Sequence, residues 1–171
     1  MKAVEYNDIY DENRQLTGRT HRRGSSWKPG EYGLVVCVWV YDGRGNVLMT
    51  RRAKGKSFAG TWENSGGAAK AGETSLQAIA RELFEETGIK ADESEFQLLC
   101  QGKEGHAIYD FYALKRRTKL EDIVLLPGET DDAKWASFNE VHAMIRRRQI
   151  CRIIANQFIR QEPMLRQLAQ V

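Results

Sequence analysis

Residues 33–41 read GLVVCVWVY, an apolar run with no charged position in either of the two alternating registers of a strand. Side chains along a strand point to opposite faces in turn, so both faces of this strand have to be covered. A chain that carries it must place it in the middle of a sheet. The other segments agree. Asp42–Asn46 is a tight polar connection into Val47–Arg52, which predicts a hairpin. Phe96–Cys100, Ala107–Leu114 and a short stretch near Ala133–Ala136 read as further strands, and two or three helices follow Phe138. With one strongly patterned helix between the strand groups, the order predicts an α+β (mixed α/β) sandwich. Upstream, residues 3–20 alternate weakly around Asp11-Glu12-Asn13-Arg14, which predicts a β-hairpin. Residues 1–171 are therefore read as a single domain, with an N-terminal hairpin extension over about 1–30 and C-terminal helices over about 138–170.

The 171 residues are 42% hydrophobic and 29% charged, enough to bury a real core without disulfides or a structural metal. Cys37, Cys100 and Cys151 are widely spaced and form no CxxC pair, which argues against a zinc finger and for a reducing, cytoplasmic setting. The longest apolar run, Leu34–Tyr41, falls far short of the ~20 residues a membrane helix needs, and the polar N-terminus lacks the apolar stretch of a signal peptide. Net charge is +3, too mild to argue for nucleic acid as a partner. The Arg146–Arg148 run reads as a solvated helix face, Lys54 and Lys56 as solvated loop charges, and His21, His106 and His142 as isolated packing or surface residues.

Chemistry concentrates in the middle of the chain. Residues 53–72 show no period and are rich in Gly and Lys, a long loop of the kind that carries function. Thr74 with Gln77 forms a capping-box pattern, Leu76, Ile79, Ala80 and Leu83 recur at helical spacing, and Gly88 stands at the C-cap, so a helix is predicted over about Ser75–Thr87. Glu82, Glu85 and Glu86 then fall at i, i+3 and i+4 on one face. Like charges so close repel, with Arg81 as the one compensating neighbour, and a hard divalent cation would reverse that penalty by taking oxygen ligands. A solvated acidic face is the plainer alternative. The glycines Gly66-Gly67 and the acidic Glu73 just upstream favour the metal reading.

From Gly67 through Glu73 to Arg81-Glu82-Leu83-Phe84-Glu85-Glu86-Thr87-Gly88-Ile89, the chain resembles the signature of the Nudix hydrolases at all nine specified positions across twenty-three residues. The resemblance implies a Nudix-type α/β/α sandwich around a mixed β-sheet and Mg²⁺-dependent cleavage of a diphosphate linkage, with Mn²⁺ as a possible substitute metal. It implies that Glu82, Glu85 and Glu86, with the backbone carbonyl near Gly67, hold the metal. Glu73 and Arg81 would tie loop to helix, with Leu83 and Ile89 in the core. Water attack at phosphorus needs a base: Glu86 is one candidate, and Glu129, in the Pro127-Gly128-Glu129 loop, resembles a loop glutamate that serves some members. Arg51 and Arg52 precede the signature. Strand alternation lets only one of them line the site, and Arg52 matches the position more often basic in the family.

Within the family, Ile9-Tyr10-Asp11-Glu12, Leu16-Thr17-Gly18-Arg19 and Trp62-Glu63-Asn64-Ser65 look like the branch that includes isopentenyl diphosphate isomerase. Active isomerases carry a cysteine just after the Trp-x-Asn motif, where this chain has Ser65-Gly66. Their metal-binding histidine has no match in Gly30–Gly33, and their signature is degraded where this one is intact. Hydrolysis of a nucleoside-diphosphate-type or related small molecule stands first, a non-catalytic ligand-binding or regulatory module second, and the isomerase last. Trp27, Phe58, Trp62 and Tyr109 are available either to stack on a base or to fill core. The two extensions imply a homodimer.

Overall fold

A computed structural model describes residues 4–170; residues 1–3 and 171, the outer ends of the expected extension and domain, lie outside the described residues. Strand β1 (Tyr6–Tyr10) and β2 (Leu16–Arg22) form a separate two-stranded sheet. Strand β3 (Gly33–Tyr41) is central, as its double apolar face requires. Val36, Val38 and Val40 enter one buried cluster and Trp39 and Tyr41 enter another.

The chain reverses at Asp42–Asn46 into β4 (Asn46–Arg52), but β3 and β4 share only the pair Tyr41↔Val47. The expected hairpin therefore opens at once. Its place beside β3 is taken by β6 (Ser65–Ala68), antiparallel from Val35↔Ala68 to Val38↔Ser65. Strand β4 pairs instead with the two-residue β5 (Trp62–Glu63) and, further along the chain, with β9 (Thr130–Ser137). On the other edge of β3 lies β8 (Ala107–Lys115), parallel to it, and then β7 (Gln97–Glu104), antiparallel to β8. The sheet is mixed.

Residues 53–72 show no period, yet β5 and β6 lie there. Gly66 and Gly67 have no side chains to alternate, so the strand carries no apolar pattern. Glycine is required by close approach: a Cβ on Gly66 would sit 2.3 Å from the Val36 carbonyl oxygen.

Helix α1 (Ser75–Thr87) has the predicted ends, a Thr74/Gln77 capping box and a left-handed Gly88 with φ 73° that returns its N–H to the Phe84 carbonyl. Ile79 and Leu83 pack with Ile89, Ile108 and Leu114 against one face of the sheet. Helices α2 (Phe138–Arg146) and α3 (Arg152–Ala169) cover the other face through Phe138, Val141, Phe158 and Leu165. Each such buried side chain contributes roughly 1.5–3 kcal/mol relative to exposure. The Trp39 indole N–H, buried in this layer, donates to Gln161 Oε1 at 2.7 Å. Among the described residues no helix is long and apolar enough to cross a membrane.

The β1–β2 hairpin is docked on the segment that leads into α1. Tyr10 and Tyr32 exchange backbone hydrogen bonds, the Ala71 N–H donates to the Tyr6 carbonyl at 2.8 Å, and the Gly72 N–H donates to Asp8 Oδ2 at 2.7 Å. This docking makes the N-terminal strands a wall of the site.

Candidate active site

The acidic face of α1 lies beside β6. A Cβ on Gly67 would come within 2.5 Å of the Glu82 carboxyl group, so the missing side chain lets the β6 backbone pass against that carboxylate. Arg81 organises the surroundings. Its Nε and Nη2 donate to the two carboxylate oxygens of Glu73 at 2.6 and 2.9 Å, its Nη1 donates to Glu82 Oε1 at 2.8 Å and Glu85 Oε2 at 3.1 Å, and its Nη2 also reaches the Ala68 carbonyl at 3.3 Å. Lys70 Nζ stands 3.7 Å from Glu85. Arg81, the one compensating neighbour along the chain, meets three carboxylates in the fold. Those contacts raise the Arg81 pKa, the Glu73 bond most of all. Burial pushes the Glu73 carboxyl up, but the Arg81 bond and the Lys70 N–H outweigh it and hold the pKa below its ordinary value.

Glu86 differs from its neighbours. Its Oε2 accepts the Gly66 N–H at 3.2 Å, and it forms no ion pair among the described residues. Desolvation in the cleft, then the charges of Glu63 and Glu82, push its pKa well above the ordinary carboxyl value. Glu82 is raised too, chiefly by burial, with Arg81 opposing.

Arg81, Glu82, Glu85 and Glu86 line a cavity of about 750 Å³, together with Arg52, Lys56 and Glu129. Arg22 and Arg23, from the end of β2 and the loop after it, line the same cavity. Arg52 Nη1 lies 2.8 Å from both oxygens of Glu63, and its Nε donates to the Ser57 carbonyl at 2.6 Å. Arg51 points elsewhere. It bonds Asp131 Oδ1 at 2.6 Å and lies over the Trp62 ring, 5.6 Å from its centroid, so it does not line the cavity; of the two candidates only Arg52 does. Lys56, read from sequence as a solvated charge, is instead ion-paired with Glu129 at the cavity wall.

Glu63 joins the site from outside the signature. Its side chain is 13% exposed, and burial raises its carboxyl against the pull of Arg52. The signal was present in Trp62-Glu63-Asn64-Ser65, whose members the fold separates by role. Trp62 enters the core on the α2–α3 side of the sheet, Glu63 faces Arg52 and the acidic cluster, Asn64 is buried with neither side-chain polar atom paired among the described residues, and Ser65 stands beside Glu86. Phe58 is an exposed loop residue at φ 56°. Cys37 lies directly behind Gly66, its Sγ 3.0 Å from where a Cβ would stand, and burial pushes its thiol pKa upward.

The NUDIX domain profile matches residues 31–153. The chain belongs to the Nudix family. It is 34% identical over 139 residues to an uncharacterized Nudix hydrolase of Listeria monocytogenes, covering 80% of this chain and 82% of that protein. Kinship with the isomerase branch also appears: an isopentenyl-diphosphate Delta-isomerase of Streptomyces coelicolor is 33% identical over 84 residues, 48% of this chain and 43% of that one. The fold is shared with DR0079 from Deinococcus radiodurans, whose crystal structure superposes with a TM-score of 0.78 at 20% identity, over 92% of this chain and 99% of that one. Nudix hydrolases cleave pyrophosphate-type linkages and generally use divalent metal ions.

Proposed function

We propose that this Nudix protein hydrolyses a diphosphate linkage in a nucleoside-diphosphate-type or related small molecule by water attack at phosphorus, with Mg²⁺ as its metal and Mn²⁺ able to replace it. The reading rests on Glu86, a desolvated carboxylate without an ion-pair partner among the described residues, beside Glu82 in a cavity that the basic groups of Arg52 and Lys56 also line. Such a carboxylate is costly unless a cation or a proton joins it.

The donor set fits a hard divalent cation: carboxylate oxygens of Glu82, Glu85 and Glu86, with the carbonyl near Gly67. Among the described residues no three acidic, His or Cys side chains already converge as a cage, since Arg81 holds Glu82 and Glu85 to itself. Bound there, the cation supplies Lewis acidity toward phosphate oxygens and lowers the pKa of water. Arg52, in the same cavity, orients the anionic diphosphate. Glu86 or Glu129 takes the proton of the attacking water at a carboxylate oxygen. Purified protein with Mg²⁺ and a panel of nucleotide sugars, dinucleotides, nucleoside di- and triphosphates and isoprenoid diphosphates should release phosphate or nucleotide from at least one compound, and lose that activity on chelation. No turnover across the panel would favour a binding module.

A further inference from the structure

A second cavity of about 450 Å³ opens next to the first, and the two share Asn7, Arg23 and Ala68 in their walls. Its distinguishing feature is a set of nearly parallel rings. His21 stacks on Trp27 with centroids 3.6 Å apart and planes 8° apart, and His106 lies 6.3 Å from Trp27 at 13°. His21 is buried, and the Trp27 ring rests against the backbone of Gly33 at the start of β3. The indole is therefore fixed on one face by His21 and at its edge by the strand. Glu104 stands in the same wall, an acceptor for ring amino groups.

We infer that this cavity is the subsite for a planar heteroaromatic group carried by the substrate, with Trp27 as its stacking platform and Arg23 at the junction with the diphosphate cavity. The inference rests on the hydrolase reading for which end of the substrate lies where, and it names the group that the reading leaves open. A flat ring is favoured over a branched aliphatic chain because the near-parallel rings define one plane for the occupant. A stacked base gains from a pre-fixed aromatic face, whereas an isoprenoid gains only from apolar area. The stacking platform comes from the N-terminal extension: Asn7, His21, Arg23 and Trp27 all precede β3, while Gly33, Glu104 and His106 complete the wall from the main sheet and its β7–β8 turn. Specificity would thus reside outside the signature that carries the chemistry.

Binding tests this directly. AMP, ribose 5-phosphate and dimethylallyl monophosphate are titrated into the full chain by calorimetry without divalent cation, so that cleavage plays no part. AMP should bind tighter than either control, and Trp27→Leu should weaken AMP about ten-fold, the scale of one stacked base, while changing ribose 5-phosphate less than two-fold. Trp27→Phe should recover most of the loss. Gly33→Ala keeps the tryptophan but puts a methyl 2.8 Å from its Cη2, and should weaken AMP by displacing the ring. These two variants decide the matter even if Trp27→Leu folds poorly. Equal affinity for AMP and ribose 5-phosphate, an equal Trp27→Leu loss for dimethylallyl monophosphate, or AMP affinity indifferent to all three substitutions would overturn the inference. A protein that binds AMP on Trp27 yet cleaves no diphosphate with Mg²⁺ would contradict the hydrolase reading alone.

Discussion

Arg81 holds Glu73 through two hydrogen bonds, Nε to Oε1 at 2.6 Å and Nη2 to Oε2 at 2.9 Å, and Glu73 Oε2 also accepts the Lys70 N–H at 2.8 Å. One pair thus fastens the loop before α1 to the helix that carries the acidic face. Both side chains are about four-fifths buried, at 18% and 19% exposure, so the bond is worth more than a surface ion pair. Glu73→Gln keeps the shape and removes the charge. It should lower stability by about 1–2 kcal/mol in urea unfolding and reduce turnover several-fold, with metal binding retained. Wild-type turnover in this variant would show that the tie is dispensable.

The same guanidinium changes what removal of each acidic residue should do. Glu85→Gln gives up a bond from Arg81 and should not stabilise the metal-free protein, whereas at Glu82 the lost Arg81 bond and the relieved burial oppose each other and should leave at most a small gain. Glu86→Gln should stabilise it. The folded pKa of Glu86 is raised, so its contribution to stability is fully present below the unfolded carboxyl pKa and is lost as pH rises through the folded value. In the presence of chelator, the melting temperature of Glu86→Gln should match wild type near pH 4 and exceed it increasingly toward neutral pH. A constant difference across that range would contradict the burial of an uncompensated charge.

Arg52 and Arg51 are neighbours in β4 with opposite surroundings. Removing Arg52 leaves Glu63 unpaired in a poorly solvated position, so Arg52→Met should cost about 1–3 kcal/mol and raise KM for any diphosphate substrate. Arg51 and Asp131 are each more than a third exposed, so Arg51→Met should cost less than about 1 kcal/mol. Equal losses from the two would mean that the ion pairs are not distinguished by burial.

The homodimer remains a proposal from the two extensions flanking the core. Light scattering at micromolar concentration should give twice the chain mass, and a monomer mass would refute it.

What the sequence made legible was whatever depends on side-chain pattern. Val36, Val38, Trp39 and Val40 declared a strand covered on both faces, and Thr74, Gln77 and Gly88 marked both ends of α1. The Ser137/Glu140 capping box of α2 was equally readable, and would have fixed its start. Strand β6 was not readable, because its defining residues are glycines chosen for backbone approach. Partnerships across long separations were hidden as well. Nothing in the spacing of Lys56 and Glu129, or of Arg52 and Glu63 eleven residues on, says that these charges pair at a cavity wall. Alternation did separate Arg51 from Arg52, and the fold put Arg52 on the cavity side.

The most direct test of the account is turnover by Glu86→Gln at saturating Mg²⁺, on a substrate that the wild-type protein cleaves. Turnover should fall at least about a hundred-fold, as expected when a group that holds the metal or takes the proton is removed, in a protein that is folded and no less stable than wild type. Near-normal turnover would contradict the placement of the active site on this face of α1.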